Sequence, residues 1–310
     1  MLYRQNREKK GFLELMNSHP VVAPCVYDCI SALLVERIGF EAMCLSGGEL
    51  GASLCGFPDI GLVTQDELVN AVQRINDATS IPMIADIDTG FGNELNLIRT
   101  CQRVAHAGAK AVHLEDQTFP KRCGHLKGKN VISREEYIGK IKAAKWALEG
   151  TGCMLIARTD SYHVIGMEEA IARCNAAIDA GADCSFIEGC ATVEDIKAAG
   201  QLVKGPKMFA MLALGASPAV TYEELVDWGY SLITMHFAMT GACRGIMEVG
   251  KKCFASKSDI PTIDYKEIDA ANGAKGFSYN LTGLSEWLTL GKQFNENIEI
   301  AKRLGHEQED

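Results

Sequence analysis

The sequence predicts an α/β chain folded as a (β/α)8 (TIM) barrel, and three observations support this fold class. Eight short apolar runs of four to eight residues recur along the chain, a length that suits strands buried in a parallel sheet. Segments with helical periodicity separate them, as at 94–108 and 167–181. A glycine often precedes a run where a helix would end. Such alternation is typical of βαβ units, and a doubly wound parallel sheet is the alternative fold.

The predicted elements follow one another with little interruption. A polar helix is predicted at the N-terminus, and no Pro-, Gly- or Ser-rich linker divides the chain. We therefore predict one domain over residues 1–310, with a helical extension from about residue 250. An apolar stripe over 284–304 is expected to pack against the barrel or against a neighbouring subunit. The eight predicted strands lie at 21–28, 41–48, 82–89, 111–117, 154–161, 184–189, 207–212 and 231–237.

Composition excludes several classes of function. A net charge of −9 over 310 residues argues against nucleic acid as a main partner, because binding phosphates requires a dense basic surface. No run approaches 18 apolar residues, so no membrane span is predicted, and the N-terminus lacks the apolar core of a signal peptide. The twelve cysteines form no C-x-x-C pair and lie mostly in apolar runs, which predicts free thiols in a reducing cytoplasm.

Polar residues end five consecutive predicted strands. Because a barrel enzyme builds its site at the C-terminal ends of its strands, we expect these residues to surround one site. They are Ser46, Gly47, Gly48, Asp86, Asp88, Glu115, Asp116, Arg158, Asp160 and Glu188.

Asp86 and Asp88 predict a metal site. Two residues apart on a strand, their side chains should face the same way, and paired carboxylates repel each other unless a cation or a proton intervenes. Mg²⁺ binds such oxygen ligands, and Glu115 could complete the shell. The alternative is that one aspartate caps the following helix while the other pairs with Arg158.

Two further strand ends are suited to an anion. In "LSGGE" (45–49) the glycines leave backbone N–H groups open and Ser46 adds a hydroxyl, although the spacing alone favours a tight turn with positive φ. Arg158 is suited to bidentate capture of a carboxylate, or alternatively to an ion pair with Asp160 or Glu188.

The segment "PKRCGHLKGK" (120–129) places Cys123 among Lys121, Arg122 and His125. Neighbouring cations are expected to lower the pKa of the thiol. About 15 residues separate the fourth strand from the next helix, a length typical of an active-site lid, to which "KGK" adds mobility and charge. The alternative is a surface loop with an incidental cysteine.

Together, "SGGELGASLCGFPDIGL", "ADIDTGFGN", "VHLEDQTFPKRCGHLKGK" and "IARTDS" resemble the isocitrate lyase/phosphoenolpyruvate mutase superfamily. The similarity runs from about residue 20 to 190 and is strongest to the short branch of methylisocitrate lyase, dimethylmalate lyase and oxaloacetate hydrolase. It implies a (β/α)8 barrel whose last helix is exchanged between subunits of a homotetramer, a dimer of dimers. It also implies a divalent cofactor, Mg²⁺ or Mn²⁺, and a small carboxylate substrate.

The resemblance also implies residue roles. The metal set is Asp86 as direct ligand, with Asp59, Asp88 and Glu115 around it. The oxo-acid portion of the substrate is held by Ser46, Gly47 and Gly48, with Arg158 as the carboxylate clamp. The general acid is Cys123, with Lys121, His125 and Glu188 beside it. Phosphonate mutases of the superfamily lack this cysteine, so the loop favours carbon–carbon cleavage.

The last third departs from the superfamily pattern. Met211 and Ala213 stand where the lyases have Asn and Glu, and Met235 and His236 replace a Tyr-Pro step. The resemblance places Met211 and His236 at the substrate, near the part that leaves as a carbanion. Fewer hydrogen bonds there predict a smaller or more apolar substituent, such as that of a methylated malate.

The implied function is Mg²⁺-dependent cleavage of a 2-hydroxy di- or tricarboxylate, of the methylisocitrate or dimethylmalate type, to a 2-oxo acid and a carboxylate. Hydrolysis or decarboxylation of oxaloacetate is the alternative. A phosphonomutase-type enzyme and a barrel that binds a metabolite without turnover are further alternatives.

Overall fold

The computed structural model describes residues 9–212, 215–265 and 281–294 and confirms the predicted (β/α)8 barrel. Eight parallel strands form one sheet in the order β6-β5-β4-β3-β2-β1-β8-β7. A single parallel bridge between Ser185 and Lys207 joins β6 to β7, so the sheet nearly closes on itself. The strands are β1 Val21–Val26, β2 Met43–Leu45, β3 Met83–Asp86, β4 Ala111–Glu115, β5 Met154–Thr159, β6 Cys184–Ile187, β7 Met208–Met211 and β8 Leu232–Met235.

The helices begin and end at the residue types that the sequence offers. Side-chain oxygens of Asp28, Thr64 and Asn93 cap three helices by accepting backbone N–H groups of the first turn. The predicted stop glycines Gly39, Gly108, Gly181 and Gly229 all have positive φ, between 94° and 109°. The helices of the barrel are α1 Phe12–Ser18, α2 Cys29–Ile38, α3 Gly47–Leu50, α4 Gln65–Ala78, α5 Glu94–His106, α6 Arg134–Leu148, α7 Met167–Asp179, α8 Val193–Leu202 and α9 Tyr222–Asp227.

The barrel interior is filled by alternate strand residues. Val21, Ala23 and Cys25 of β1 belong to one buried cluster with inward residues of the other strands, including Phe186 of β6. Phe12, from α1, packs into the same cluster, so α1 covers the N-terminal end of the barrel. With that end closed, the opposite end remains for a site.

Residues 9–241 form one compact unit as far as the chain is described, and the described residues from 242 onward belong to a second unit. The helix α10, Ala238–Ser256, begins in the first unit and is followed by a 3-10 segment, Ile260–Tyr265, and by α11, Leu284–Phe294. The predicted tail helix is confirmed over 284–294, while 295–304 and Ala213 lie outside the described residues. The single domain stays a prediction. Within the described ranges, no helix has the length and apolarity needed to cross a membrane.

Candidate active site

A cavity of about 260 Å³ lies at the C-terminal ends of the strands. Nine of the fourteen predicted site residues line it: Ser46, Gly48, Asp59, Asp86, Cys123, His125, Arg158, Glu188 and His236. A larger groove of about 890 Å³, lined by residues such as Val63 and Phe119, contains none of the fourteen.

Four more predicted residues lie behind the side of the cavity that Asp59 and Asp86 line. Lys121 Nζ lies 2.5 Å from Asp59 Oδ1 and 2.7 Å from Asp88 Oδ1. A side chain on Gly47 would come within 3.2 Å of Asp86 Oδ2 and Asp88 Oδ1. The fourth, Glu115, is fully buried at the end of β4.

The geometry of the two aspartates differs from the prediction. Strand β3 ends at Asp86, and Asp88 follows in a turn with φ of 48°, so the two carboxylates converge through a turn and not through strand alternation. The Asp88 N–H donates to Asp86 Oδ1 at 3.1 Å. Neither aspartate caps α5, whose cap is Asn93, so the capping alternative is wrong.

Two effects reduce the negative charge of the acid cluster, Asp59, Asp86, Asp88 and Glu115. One is the Lys121 ammonium, and the other is a raised carboxyl pKa, which favours a bound proton. Burial alone would lower the pKa of Lys121, but the surrounding carboxylates outweigh it and raise that pKa, so the ammonium stays charged. Burial raises the pKa of Asp88 to about 6 and raises that of Glu115 as well. Burial lowers the pKa of the neighbouring His113 to about 4, so its ring, 3.7 Å from Asp86 Oδ1, is neutral at pH 7.

Gly47 and Gly48 serve close packing, and the expected positive-φ turn is wrong. They begin α3, where Ser46 is the N-cap and accepts the Glu49 N–H at 3.3 Å. A Cβ on Gly48 would lie 2.9 Å from Asp59 Cγ, too close for any real side chain. Glycine is therefore required here because the acids approach the backbone of α3 closely.

Arg158 makes the ion pairs that were the alternative to its role as a clamp. Its Nε donates to Asp160 Oδ2 at 2.8 Å, and Nη1 lies 3.3 Å from Glu188 Oε2. Its Nη2 lies 3.4 Å from Glu115 Oε2. The ion-pair interpretation is therefore confirmed. The guanidinium also lines the cavity with its orientation fixed by these carboxylates, and its role as a carboxylate clamp stays a prediction.

Cys123 lines the cavity, but its predicted electrostatics are wrong. Burial raises the pKa of the thiol and outweighs the lowering by a hydrogen bond from the His125 backbone N–H; Asp59 and Glu188 raise the pKa further, and Arg158 lowers it. Lys121 does not activate the thiol because its ammonium is paired with Asp59 and Asp88. The thiol therefore keeps its proton at pH 7, which suits a proton donor better than a nucleophile.

The loop carrying Cys123 is anchored at several points. Lys129 was expected to add mobile charge, yet it is buried, with Nζ donating to Asp160 Oδ1 at 2.8 Å and to the Gly124 carbonyl. The Cys123 N–H donates to the Asp59 carbonyl at 2.9 Å. His125 Nδ1 accepts the Ala216 N–H at 2.9 Å. These bonds hold the thiol against the cavity.

Met211 is the predicted site residue that the structure places elsewhere. Met208 and Ala210 of β7, and Leu212 just after it, line the cavity, whereas Met211 packs with the outer apolar cluster between the sheet and the helices. Strand alternation sends neighbouring side chains to opposite faces, so the prediction chose the wrong face. Further cavity residues that the sequence analysis did not propose as site residues include Cys25, Cys44, Glu49, His113, Gly124, Phe186 and Thr234.

The donor set fits a hard divalent cation such as Mg²⁺. Both carboxylate oxygens of Glu115 are buried without a hydrogen-bond partner, although Arg158 Nη2 lies 3.4 Å from Oε2. The Glu115 N–H donates to the Asp88 carbonyl at 3.0 Å, which keeps the two residues adjacent. Among the described residues no three His, Cys, Asp or Glu side chains converge as ligands, and Lys121 Nζ stands between two of the acids. Mg²⁺ commonly uses one or two carboxylates and several waters, so this arrangement is compatible with it.

Acids, a guanidinium and a protonated thiol at the C-terminal end of a (β/α)8 barrel form the kind of site that barrel enzymes use. The phosphoenolpyruvate phosphomutase family model matches residues 12–251, and the chain belongs to this family within the isocitrate lyase/phosphoenolpyruvate mutase superfamily, as predicted.

Curated relatives include lyases and a mutase. The chain is 40% identical over 235 residues to 2-methylisocitrate lyase of Aeropyrum pernix, covering 75% of each chain. It is 40% identical to 2,3-dimethylmalate lyase of Eubacterium barkeri, covering 68% of this chain and 73% of the relative. It is 41% identical to a chloroplastic carboxyvinyl-carboxyphosphonate phosphorylmutase of Arabidopsis thaliana, covering 74% and 70%. The two lyases confirm the prediction of an enzyme of the carbon–carbon lyase type.

Solved structures agree with this assignment. A crystal structure of 2,3-dimethylmalate lyase superposes with a TM-score of 0.82 at 33% identity, covering 92% of this chain and 95% of the other. Phosphonopyruvate hydrolase in complex with oxalate and Mg²⁺ superposes with a TM-score of 0.77 at 28% identity, covering 91% and 98%.

Proposed function

We propose that this protein is a Mg²⁺-dependent lyase that cleaves a 2-hydroxy di- or tricarboxylate to a 2-oxo acid and a carboxylate. One observation carries the proposal: a protonated thiol, an oriented guanidinium and a buried acid cluster face the same small cavity. The similarity to methylisocitrate lyase and dimethylmalate lyase supports it.

The acid side of the cavity would hold the cation. Asp86 is the proposed direct ligand, with Asp59, Asp88 and Glu115 around it. Bound Mg²⁺ would supply a Lewis acid that lowers the pKa of the substrate hydroxyl group. The complex of phosphonopyruvate hydrolase with oxalate and Mg²⁺ supports this choice of cation and of an oxo-acid-sized ligand.

The chain's own residues would orient the substrate and move one proton. Arg158 and the Ser46 hydroxyl bind the carboxylate of the half that becomes the 2-oxo acid. A base in the site or in the solvent takes the hydroxyl proton, the freed electron pair on oxygen forms the C2 carbonyl, and the C2–C3 bond breaks with its electron pair left on C3. The Cys123 thiol donates its proton to that carbon, a contribution of roughly 10²–10⁴ in rate.

Residues near the thiol have supporting roles in this proposal. His125 presents Nε2 toward Glu188 Oε1 at 3.4 Å, and burial lowers the pKa of its ring. Lys121 holds Asp59 and Asp88 in place. Both therefore act as positioning groups, and neither carries the proton that reaches the substrate.

Purified protein with Mg²⁺ should release a 2-oxo acid from at least one member of a panel of methylisocitrate, dimethylmalate and alkylmalates. Cys123→Ser should lose most turnover while still binding Mg²⁺ and oxalate. Cys29→Ser, at a half-buried cysteine that does not line the cavity, is the matched control and should retain full turnover.

Other products would identify another reaction. Oxalate and acetate, or pyruvate and CO₂, formed from oxaloacetate without cleavage of the panel would contradict the proposal and establish hydrolysis or decarboxylation. Phosphonate rearrangement would establish a mutase.

The homotetramer and the cytoplasmic location remain proposals. Exposed apolar side chains on α10, including Ile246, Met247 and Phe254, support an oligomer in which this helix is covered by another subunit. Light scattering of the purified protein should give the mass of four chains, and a monomer mass would contradict the proposal.

A further inference from the structure

A hydrogen-bonded chain of three side chains closes one end of the cavity. His236 Nδ1 lies 3.2 Å from Glu49 Oε1, and its Nε2 lies 3.4 Å from Cys25 Sγ. All three side chains line the cavity, on the side formed by α3, β1 and the end of β8. The mechanism proposed above uses neither Glu49 nor Cys25.

Glu49 and Cys25 occupy both nitrogens of the His236 ring. Glu49 Oε1 faces Nδ1, and Cys25 Sγ faces Nε2, so each ring nitrogen already has a partner within the chain. The ring therefore has no free nitrogen with which to hold a carboxylate of the substrate.

Glu49 has no lysine or arginine partner within the described part of the chain, and its Oε2 is buried without a hydrogen-bond partner. Arg158, the lining guanidinium, already contacts three carboxylates. An additional carboxylate arriving at this end would therefore meet the carboxylate of Glu49 without a free lysine or arginine to bind it.

The rest of this end carries neither a lysine nor an arginine among the described residues. Met208 and Ala210 of β7, and Leu212 just after it, present apolar surface, and Thr234 on β8 presents a buried hydroxyl oxygen without a partner. His125 also lines the cavity, but its Nδ1 already accepts the Ala216 N–H and its Nε2 lies 3.4 Å from Glu188 Oε1. This surface can therefore accommodate an alkyl group or a single hydroxyl group, and it offers no unpaired cation to a carboxylate.

We propose that Glu49, held by His236, makes this end of the cavity reject a carboxylate, so that the substrate is a 2-hydroxy dicarboxylate with an alkyl-bearing leaving half. The inference rests on the proposed function and narrows it by excluding tricarboxylates. Specificity of this kind comes from repulsion of the wrong ligand as well as from attraction of the right one.

The test compares kcat/KM for dimethylmalate with kcat/KM for methylisocitrate. The unaltered protein should prefer the dicarboxylate by roughly 100-fold or more, and Glu49→Gln should reduce that ratio at least about tenfold, which is about 1.4 kcal/mol. Glu41→Gln is the matched control, because Glu41 also pairs with a histidine, His19, at 2.7 Å but on the surface. The ratio should not change in that variant.

A binding measurement separates failure of this inference from failure of the proposed function. With Cys123→Ser and a fixed free Mg²⁺ concentration, calorimetry should show malate binding at least about tenfold more tightly than citrate. Adding Glu49→Gln should remove the preference, with Glu49→Ala as the substitute if that variant does not fold.

In the kinetic test, equal cleavage of dimethylmalate and methylisocitrate overturns the inference, and so does a kcat/KM ratio that Glu49→Gln leaves unchanged. In the binding test, equal binding of malate and citrate overturns it, and so does binding of neither. Cleavage of neither substrate, together with a binding preference that depends on Glu49, would overturn the proposed lyase reaction while supporting the charge selection.

Discussion

Gly124 lies in the loop that carries Cys123 and packs against the buried side chains of Arg158 and Glu188. A Cβ at this position would lie 2.5 Å from Arg158 Nη2 and also too close to the side chain of Glu188. Arg158 cannot withdraw without leaving its carboxylate partners, and breaking a buried ion pair costs about 3–5 kcal/mol. The loop should therefore lift at Cys123 and Gly124 in Gly124→Ala, because the hydrogen bond from the Cys123 N–H to the Asp59 carbonyl costs only about 0.5–1.5 kcal/mol to lose.

A lifted loop would carry Cys123 away from the reacting carbon. A displacement of about 1 Å can cost about 10²-fold in rate, so kcat should fall about 100-fold in Gly124→Ala. The assay is 2-oxo acid release under saturating substrate and Mg²⁺, together with thermal unfolding. The melting temperature should change little, because the barrel core is untouched.

The control is Gly139→Ala in α6, where an added Cβ meets nothing within 4 Å. This variant should keep its kcat and become about 0.5–1 kcal/mol more stable, as expected for Ala in a helix interior. A Gly124→Ala enzyme with unaltered kcat would refute the reasoning, because it would mean that the position of the loop does not limit proton donation.

Three further predictions follow from the same contacts. Asp160→Asn removes the buried partner of Arg158 and Lys129 and should lower the free energy of unfolding by about 3 kcal/mol in a urea titration. Burial alone would raise the pKa of Asp160, but those two cations outweigh burial and lower that pKa to about 2. The carboxylate therefore contributes about 2 kcal/mol to the free energy of unfolding above pH about 4, and this contribution should be lost as the pH falls toward 2. The Asp160→Asn variant should not show this loss. Gly48→Ala should displace the carboxyl group of Asp59 and weaken Mg²⁺ binding at least about tenfold, measured by calorimetry. An unaltered Mg²⁺ affinity would contradict the packing argument. Met211→Leu should keep kcat and change stability by less than about 1.5 kcal/mol, because the side chain packs outside the cavity, and a large loss of kcat would contradict that placement.

The barrel could be predicted from the sequence because its signals are local. Each apolar run became a strand, and each stop glycine such as Gly39 adopted the left-handed conformation that ends a helix. Polar residues after strands, such as Asp86 and Arg158, reached one cavity because parallel strands end at the same edge.

The errors arise where the outcome depends on tertiary packing. The residues of β7 and the leucine that follows it are all apolar. The hydrophobic pattern alone therefore could not decide whether Met211 or Leu212 faces the cavity. The charge of Lys121 was expected to act on Cys123, but folding places the ammonium between two carboxylates that are distant in sequence from one another. His236 and Glu49 lie 187 residues apart, and nothing local indicates that they meet.

The central claim is that Cys123 protonates a carbanion released by carbon–carbon cleavage, and product analysis in D₂O tests it directly. With Mg²⁺ and dimethylmalate, the protein should release one equivalent of 2-oxo acid and a carboxylate carrying one deuterium, and Cys123→Ser should slow both at least about 100-fold. No 2-oxo acid from any member of the panel, or undiminished release of both products by Cys123→Ser, would contradict the account.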